Sequence, residues 1–289
     1  MLKKIAGLFC VFSVLGLCIV SSSVIAKNTN SLQVKGSDTM VNLVQSWAEE
    51  FMKTQPDLFV AVTGGGSGTG LAALINGSSE IAASSREIKA QEMVLAKKKG
   101  VDPKEFKVAL DGLAVIVNPK NPVKQLTLDQ LAGIFTGKIK NWKELGGIDS
   151  KIVILSREVN SGTHVYFKEH VLRKGDAKSQ EEFSSDALLL PSSQAIADEV
   201  KQNSGAIGYF GMGYIGKDHQ ALLVAKDAQS EYVYPSVEAV ISGKYPISRP
   251  LFIYTNGEPQ GAVKQFLDYI LSPAGQALVS KMDFVPIQK

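Results

Sequence analysis

The chain has 289 residues, of which 45% are apolar and 20% charged, a balance that excludes an intrinsically disordered protein. The formal net charge is only +3, and no basic stripe runs through the sequence, which excludes the electrostatic footprint of a nucleic-acid partner. The length is enough for two modest domains with cores of their own.

Lys3 and Lys4 precede an apolar run from Ile5 to Val20, followed by Ser21-Ser22-Ser23 and then Val24-Ile25-Ala26. A basic start, a short apolar core and a compact-residue cut site predict an export signal over residues 1–26. Its removal takes two lysines and leaves a charge of about +1. Both cysteines, Cys10 and Cys18, fall inside this segment behind Phe9 and Leu17. A lipid anchor would need a small residue there, so a soluble periplasmic protein without disulfides is expected.

Leu32 to Val34 then reads as a short strand, and Met40, Val44, Trp47 and Phe51 recur at helical spacing. Phe59 to Val62 is the next strand, leading through a glycine-rich turn into a helix from Leu71 to Ile75. The run Lys97-Lys98-Lys99 reads as a solvated helix end. Ala114 to Val117 is a continuous apolar strand, with Pro119 and Pro122 beyond it. Thr127 with Gln130 forms a capping-box signature ahead of Leu128, Leu131, Ile134 and Phe135, and Gly137 ends that helix. Ile152 to Leu155 is a strand and Val165 to Leu172 a helix; a polar loop fills Gly175 to Asp186. Ser193 is the expected cap of a helix running to Lys201, and Ala206 to Tyr209 returns as a strand. Val263, Phe266, Leu267, Ile270 and Leu271 mark a late helix, and Ser272-Pro273 opens another. Strands alternating with helices, and no linker between them, predict α/β lobes.

One pattern recurs. Ser37-Asp38-Thr39, Ser67-Gly68-Thr69 and Ser161-Gly162-Thr163 are each Ser-x-Thr between an expected strand and an expected helix. A helix start offers unpaired backbone N–H groups and the positive end of the macrodipole, to which hydroxyls add rotatable donors. Three such starts converging on one point would surround a small anion. The run Gly64 to Gly70 has neither the spacing of a dinucleotide fingerprint nor the lysine of a triphosphate loop, and Thr69 replaces the second glycine of a nucleophile elbow. Arg86 after Ser84-Ser85, and Arg157 four residues before Ser161, stand ready to fork onto two oxygens of a tetrahedral oxyanion.

These residues resemble the PstS-type phosphate-specific substrate-binding proteins of bacterial ABC transporters. The resemblance is carried by Gly36 to Met40, Gly64 to Gly70, Ser84 to Ile88, Asp111 to Val115, Thr136 to Ile139 with Asn141-Trp142, Ser156 to Thr163 and Gly205 to Tyr209. It implies a type II periplasmic-binding fold, two α/β lobes joined by a two-strand hinge around a ligand cleft. Residues 27–112 and 213–289 would form lobe I and residues 113–212 lobe II. The implied phosphate ligands are Ser37, Thr39, Ser67, Arg86, Arg157, Ser161, Gly162 and Thr163. Longer members carry an aspartate where Arg86 aligns, an acceptor for the proton of bound phosphate; Asp38, then Glu158, are the candidates for that role here. The implied partner is the membrane permease of an ABC phosphate importer, served by a monomer with no cofactor and no bound metal.

Two other readings are carried forward. Sulfate or molybdate would fit the same donors. A secreted phosphate-ester hydrolase would have to work with His164, His170 and His219, none of them spaced as a metal site.

Overall fold

The computed structural model describes residues 31–287, so the expected signal peptide lies outside the described residues. The first half of the chain is a run of strand–helix units. It comprises β1 (Ser31–Gly36), α1 (Val41–Thr54), β2 (Phe59–Thr63), α2 (Ser67–Ile75), β3 (Ile81–Ser84), α3 (Ala90–Lys98) and the long β4 (Pro103–Val117). There follow β5 (Gln125–Thr127), α4 (Leu128–Phe135), β6 (Val153–Arg157), α5 (Gly162–Phe167), β7 (Leu188–Leu190), α6 (Ser193–Gln202), β8 (Ala206–Gly211), β9 (Gln220–Ala221), β10 (Leu223–Ala225) and α7 (Val237–Ile241). The chain closes with β11 (Ser248–Asn256), α8 (Gly261–Leu271), α9 (Pro273–Lys281) and β12 (Val285–Pro286).

The strands run in the order β2-β1-β3-β11-β4-β8-β6-β7. β1 pairs in parallel with β2 and β3, and β6 with β7 and β8, as short strands joined through helices must. β11 runs antiparallel between β3 and β4, and β4 changes partner from β11 to β8 between Gly112 and Leu113. One lobe therefore lies on each side of that point. In lobe I, α1 turns Leu43, Val44, Trp47, Ala48 and Phe51 onto the sheet, the stripe expected from its spacing. Each large side chain removed from water in this way contributes about 1.5–3 kcal/mol. In lobe II, the Thr127–Gln130 capping box forms as expected, and Phe135 packs edge-on to Phe167, which stacks on Tyr209 at 3.9 Å.

Several boundaries differ from the expected ones, each for a local reason. The strand expected at 114–117 is the inner end of the 15-residue β4, whose outer part alternates polar and apolar residues beside β11. Ser192, not Ser193, caps α6 by accepting the amide of Ala195 at 3.0 Å. The helix expected from Val165 begins at Gly162 with Ser161 as its cap, and Lys168–Leu172 continue it as a π-helical turn. The largest difference concerns residues 213–247, expected in lobe I. Leu222, Val224, Val240, Tyr245 and Ile247 pack with Leu113, Val115 and Tyr209 in the core of lobe II. The chain returns to lobe I only at β11, where the amide of Leu113 is still bonded to Ile247.

Candidate anion-binding cleft

The cleft lies where the two lobes meet beside the crossing strands, and strand ends and helix starts build its walls. Ser67 is the first residue of α2 and Ser161 caps α5, so both lie where backbone amides have no acceptor within their own helix. Ser161 accepts the amides of Thr163 and His164 at 3.2 and 3.4 Å, which leaves its hydroxyl hydrogen for a ligand. Ser37 and Thr39 lie in the turn after β1, both buried; the Ser37 amide is bonded to Ala83 of β3. Helix α1 starts only at Val41, so this turn precedes the helix rather than opening it.

The three Ser-x-Thr segments meet. Thr39 and Thr163, 124 residues apart, share a hydrogen bond of 2.7 Å between their hydroxyls. A Cβ placed on Gly162 would lie 2.3 Å from Ser67 Oγ and 2.6 Å from Ser85 Oγ, so the start of α5 seats directly on lobe I hydroxyls. Nearby, Asn160 donates from Nδ2 to the Gly65 carbonyl at 2.9 Å and to Thr69 Oγ1 at 3.2 Å, and its own carbonyl accepts the Gly68 amide at 2.9 Å. These contacts hold the lobes closed without involving a ligand.

Arg157, at the end of β6, is almost wholly buried. Its NH2 meets Asp38 Oδ2 at 2.6 Å and the Pro191 carbonyl at 2.8 Å, while NH1 donates to Ser193 and Nε to the Leu190 carbonyl. Asp38 also accepts the Gly65 amide at 2.8 Å, so its carboxylate ties the glycine loop of lobe I to the arginine of lobe II. Arg86 sits differently from the expected position. Its terminal nitrogens form a two-point pair with Glu92 at 2.7 and 2.8 Å, and NH1 also reaches the Glu87 carbonyl. Its Nε is buried with no hydrogen-bond partner among the described residues. Ser85, rather than Arg86, meets Ser67: its amide donates to Ser67 Oγ at 3.0 Å and the hydroxyls lie 3.3 Å apart. Glu158, the second acceptor candidate, is exposed.

Sequence reasoning passed over Ser85, Asn160, Asp111 and Arg249. Arg249 NH2 lies 3.0 Å from Thr163 Oγ1 and 3.4 Å from Thr39 Oγ1, and NH1 donates to the Ser85 carbonyl at 3.0 Å. Its salt-bridge partner is Asp111 at 2.9 Å. Burial raises the Asp111 carboxyl against the opposing pull of Arg249, and burial likewise lowers the guanidinium, so the pair is costly to keep charged. The available signal was a lone charge of each sign inside otherwise apolar strand segments, Asp111 before Leu113 to Val117 and Arg249 before Leu251 to Tyr254.

Behind the cleft, Ser156 Oγ bonds Tyr209 at 2.7 Å and His164 Nδ1 at 3.2 Å. Burial, with Lys168 nearby, brings the His164 imidazole down to about 4. Among the described residues no group of three His, Cys, Asp or Glu side chains is placed to hold a metal ion, and no helix is long and apolar enough to cross a membrane.

With this geometry in place, the chain can be set beside known proteins. Residues 23–274 match the family described as the PBP superfamily domain, the class that the two-lobed fold and its cleft define. The chain is 37% identical to the phosphate-binding protein PstS of Bacillus subtilis, over 90% of this chain and 82% of that one. It is 32% identical to PstS of Pseudomonas aeruginosa, over 90% and 84% respectively. A phosphate ABC transporter substrate-binding protein of Clostridium perfringens, solved with bound phosphate, superposes with a TM-score of 0.80 at 35% identity, over 90% of this chain and all of that one. An ABC-type phosphate transport receptor of Vibrio cholerae gives 0.70 at 28% identity, over 89% and 100%. The chain belongs to the PstS family of phosphate-binding proteins, and its fold is the type II periplasmic-binding fold.

Two predictions follow from the packing. Gly162→Ala should weaken anion binding more than about tenfold in a calorimetric titration, because the added methyl keeps the lobes apart. Its ligand-free melting temperature should fall by no more than a few degrees (about 2–4 °C), since contacts between the lobes are lost while neither lobe's core is touched. His164 is neutral when folded and takes up a proton first when unfolded. The stability it confers is complete above pH 6.5 and is lost as the pH falls from 6.5 towards about 4. Urea denaturation at pH 7 and 4.5 should therefore show His164→Asn losing about 1–2 kcal/mol less than the parent.

Proposed function

We propose that this chain is an extracytoplasmic receptor, monomeric and cleaved from its signal peptide, that captures inorganic phosphate between its lobes and presents it to an ABC permease. The observation that carries this reading is the meeting of Thr39 and Thr163 beside Ser67, Ser85 and Gly162, which brings hydroxyl and amide donors from distant segments to one point. The chemistry is that of a dehydrated anion held by hydroxyl and amide donors together with guanidinium groups that are themselves paired with carboxylates. The phosphate-bound relative from Clostridium perfringens, at 35% identity, supports phosphate as the anion. The ligands in this reading are Ser37, Thr39, Ser67, Ser161, the Gly162 amide and Thr163, with Ser85 and Arg249 added. The unpaired Nε of Arg86 and the remaining NH1 hydrogen of Arg157 complete the set.

The reading includes no chemistry on the captured anion. The Ser156–His164 pair, which has the residue types of a nucleophile and its base, is buried, and the serine is also bonded to Tyr209. A purified chain that released phosphate from a simple ester would overturn that part.

The anion freed on denaturing the purified protein should be phosphate by ion chromatography; sulfate or molybdate in its place would overturn the reading. Arg157→Ala should weaken phosphate binding by about 2–5 kcal/mol in a calorimetric titration, since it leaves Asp38 unpaired at the cleft. Asp38→Asn tests the acceptor role. Sulfate should compete with phosphate better than it does in the parent, because a carboxylate accepts the proton that phosphate retains and sulfate lacks. Unchanged competition would remove Asp38 from that role.

A further inference from the structure

Asp111 and Arg249 are direct neighbours in the antiparallel register of β4 and β11, at the point where both strands leave lobe I. They are among the most buried charged residues described, at 0% and 2% exposure. A buried ion pair is weak support for a fold, because well-packed apolar residues of the same size often serve as well or better. What sets this pair apart is where its spare donors go. Arg249 spends Nε and one NH2 hydrogen on Asp111 and then reaches outward to the Ser85 carbonyl and to both Thr39 and Thr163. Those partners come from the end of β3, the turn before α1 and the start of α5, so they belong to both lobes.

The hydrogen inventory gives these contacts a direction. A guanidinium only donates, so both threonine oxygens accept from it, sharing the NH2 hydrogen that Asp111 leaves, with Thr163 the nearer at 3.0 Å. The 2.7 Å bond between the threonines uses one of their two hydroxyl hydrogens. One hydroxyl hydrogen remains, and of the pair's four lone pairs Arg249 engages two and the bond between the threonines a third. The Thr39–Thr163 pair is therefore a donor set from behind.

We propose that Asp111 is a positioning residue for anion capture: its carboxylate holds Arg249, and Arg249 assembles Thr39 and Thr163 into a contact turned to donate as the lobes close. This rests on the reading of the cleft as a phosphate site and deepens it. The hinge and the site are one device, with the ion pair fixed to the hinge strands and the threonines delivered to it by closure.

The test compares the parent with Asp111→Asn and with the double variant Asp111→Asn/Arg249→Met, which removes both charges at nearly constant size. Phosphate affinity from calorimetry should fall at least thirtyfold in both. The double variant should keep its ligand-free melting temperature, because no charge is left buried and unpaired. A folded double variant that binds phosphate like the parent would make the pair mere scaffolding and overturn the proposal. Should the double variant not fold, the cycle between Asp111→Asn and Thr39→Val decides. The Asp111→Asn loss should shrink to under threefold once Thr39 has no hydroxyl, and an equal loss in both backgrounds overturns the proposal. A parent chain that takes no phosphate overturns this inference and the phosphate reading together, whereas a parent that binds phosphate beside unaffected variants overturns this inference alone.

Discussion

Every guanidinium at the cleft is already answered by a carboxylate: Arg86 by Glu92, Arg157 by Asp38 and Arg249 by Asp111. The rest of the site depends on this balance. A cleft with three unpaired arginines would attract any polyanion and would pay heavily to exist without one. Once the arginines are paired, net charge no longer holds an anion in place. The work falls to hydrogen-bond donors whose direction is fixed, namely amides at helix starts and serine and threonine hydroxyls. Such donors are effective only at contact distance, so they must surround the ion on several sides.

That requirement explains why the site is divided between two bodies. A single rigid lobe could not present inward-facing donors on all sides of an ion and still admit it. Here Ser67 and Ser85 stand on lobe I, Ser161 to Thr163 on lobe II, and Gly162 is the position where any side chain would hold the halves apart. Asn160 binds the glycine loop beside them through both its amide nitrogen and its backbone carbonyl. The loop's glycines matter for the same reason: Gly66 has a φ of 91° and would place a Cβ 2.9 Å from the Asn160 carbonyl. Contacts within the chain itself thus join the lobes, and on the proposed reading the captured anion adds to them.

Much of this could be read along the chain because the underlying physics is local. A capping box such as Thr127 to Gln130 and an apolar stripe such as Val44, Trp47 and Phe51 are each decided within a turn or two of helix. The Ser-x-Thr recurrence could be read for the same reason, since strand ends and helix starts carry the unpaired amides that an anion needs. What escaped depends on register between distant strands. Asp111 and Arg249 are 138 residues apart, and their pairing follows from how β4 lies against β11, which no local pattern fixes. The second crossing was misplaced because residues 213–247 form only short elements after β8. Their allegiance is set by Leu222, Val224 and Tyr245 finding the lobe II core, a long-range packing outcome. Ser85 and Arg86 are adjacent at the end of β3, and the pairing of Arg86 with Glu92 on α3 leaves the serine facing the cleft.

The placement of Ser85 bears on how such a cleft could discriminate between anions. A free carboxylate among the donors would reject any anion without a proton to give, and this cleft holds its carboxylates in ion pairs instead. A serine hydroxyl can donate or accept by rotating, so on its own it distinguishes little. Discrimination then depends on how many hydroxyls have had that rotation removed. Ser161 is fixed as an acceptor towards its own helix, and the Thr39–Thr163 pair is fixed by Arg249 behind it. Ser67 accepts the Ser85 amide and shares a hydrogen bond with the Ser85 hydroxyl. Each group whose acceptor face is occupied from behind becomes a committed donor. Ser85 and the lone pairs of Asp38 not taken by Gly65 and Arg157 supply acceptor capacity at the cleft. Selectivity in this site is therefore a property of the groups behind the lining, which determine what the lining can offer.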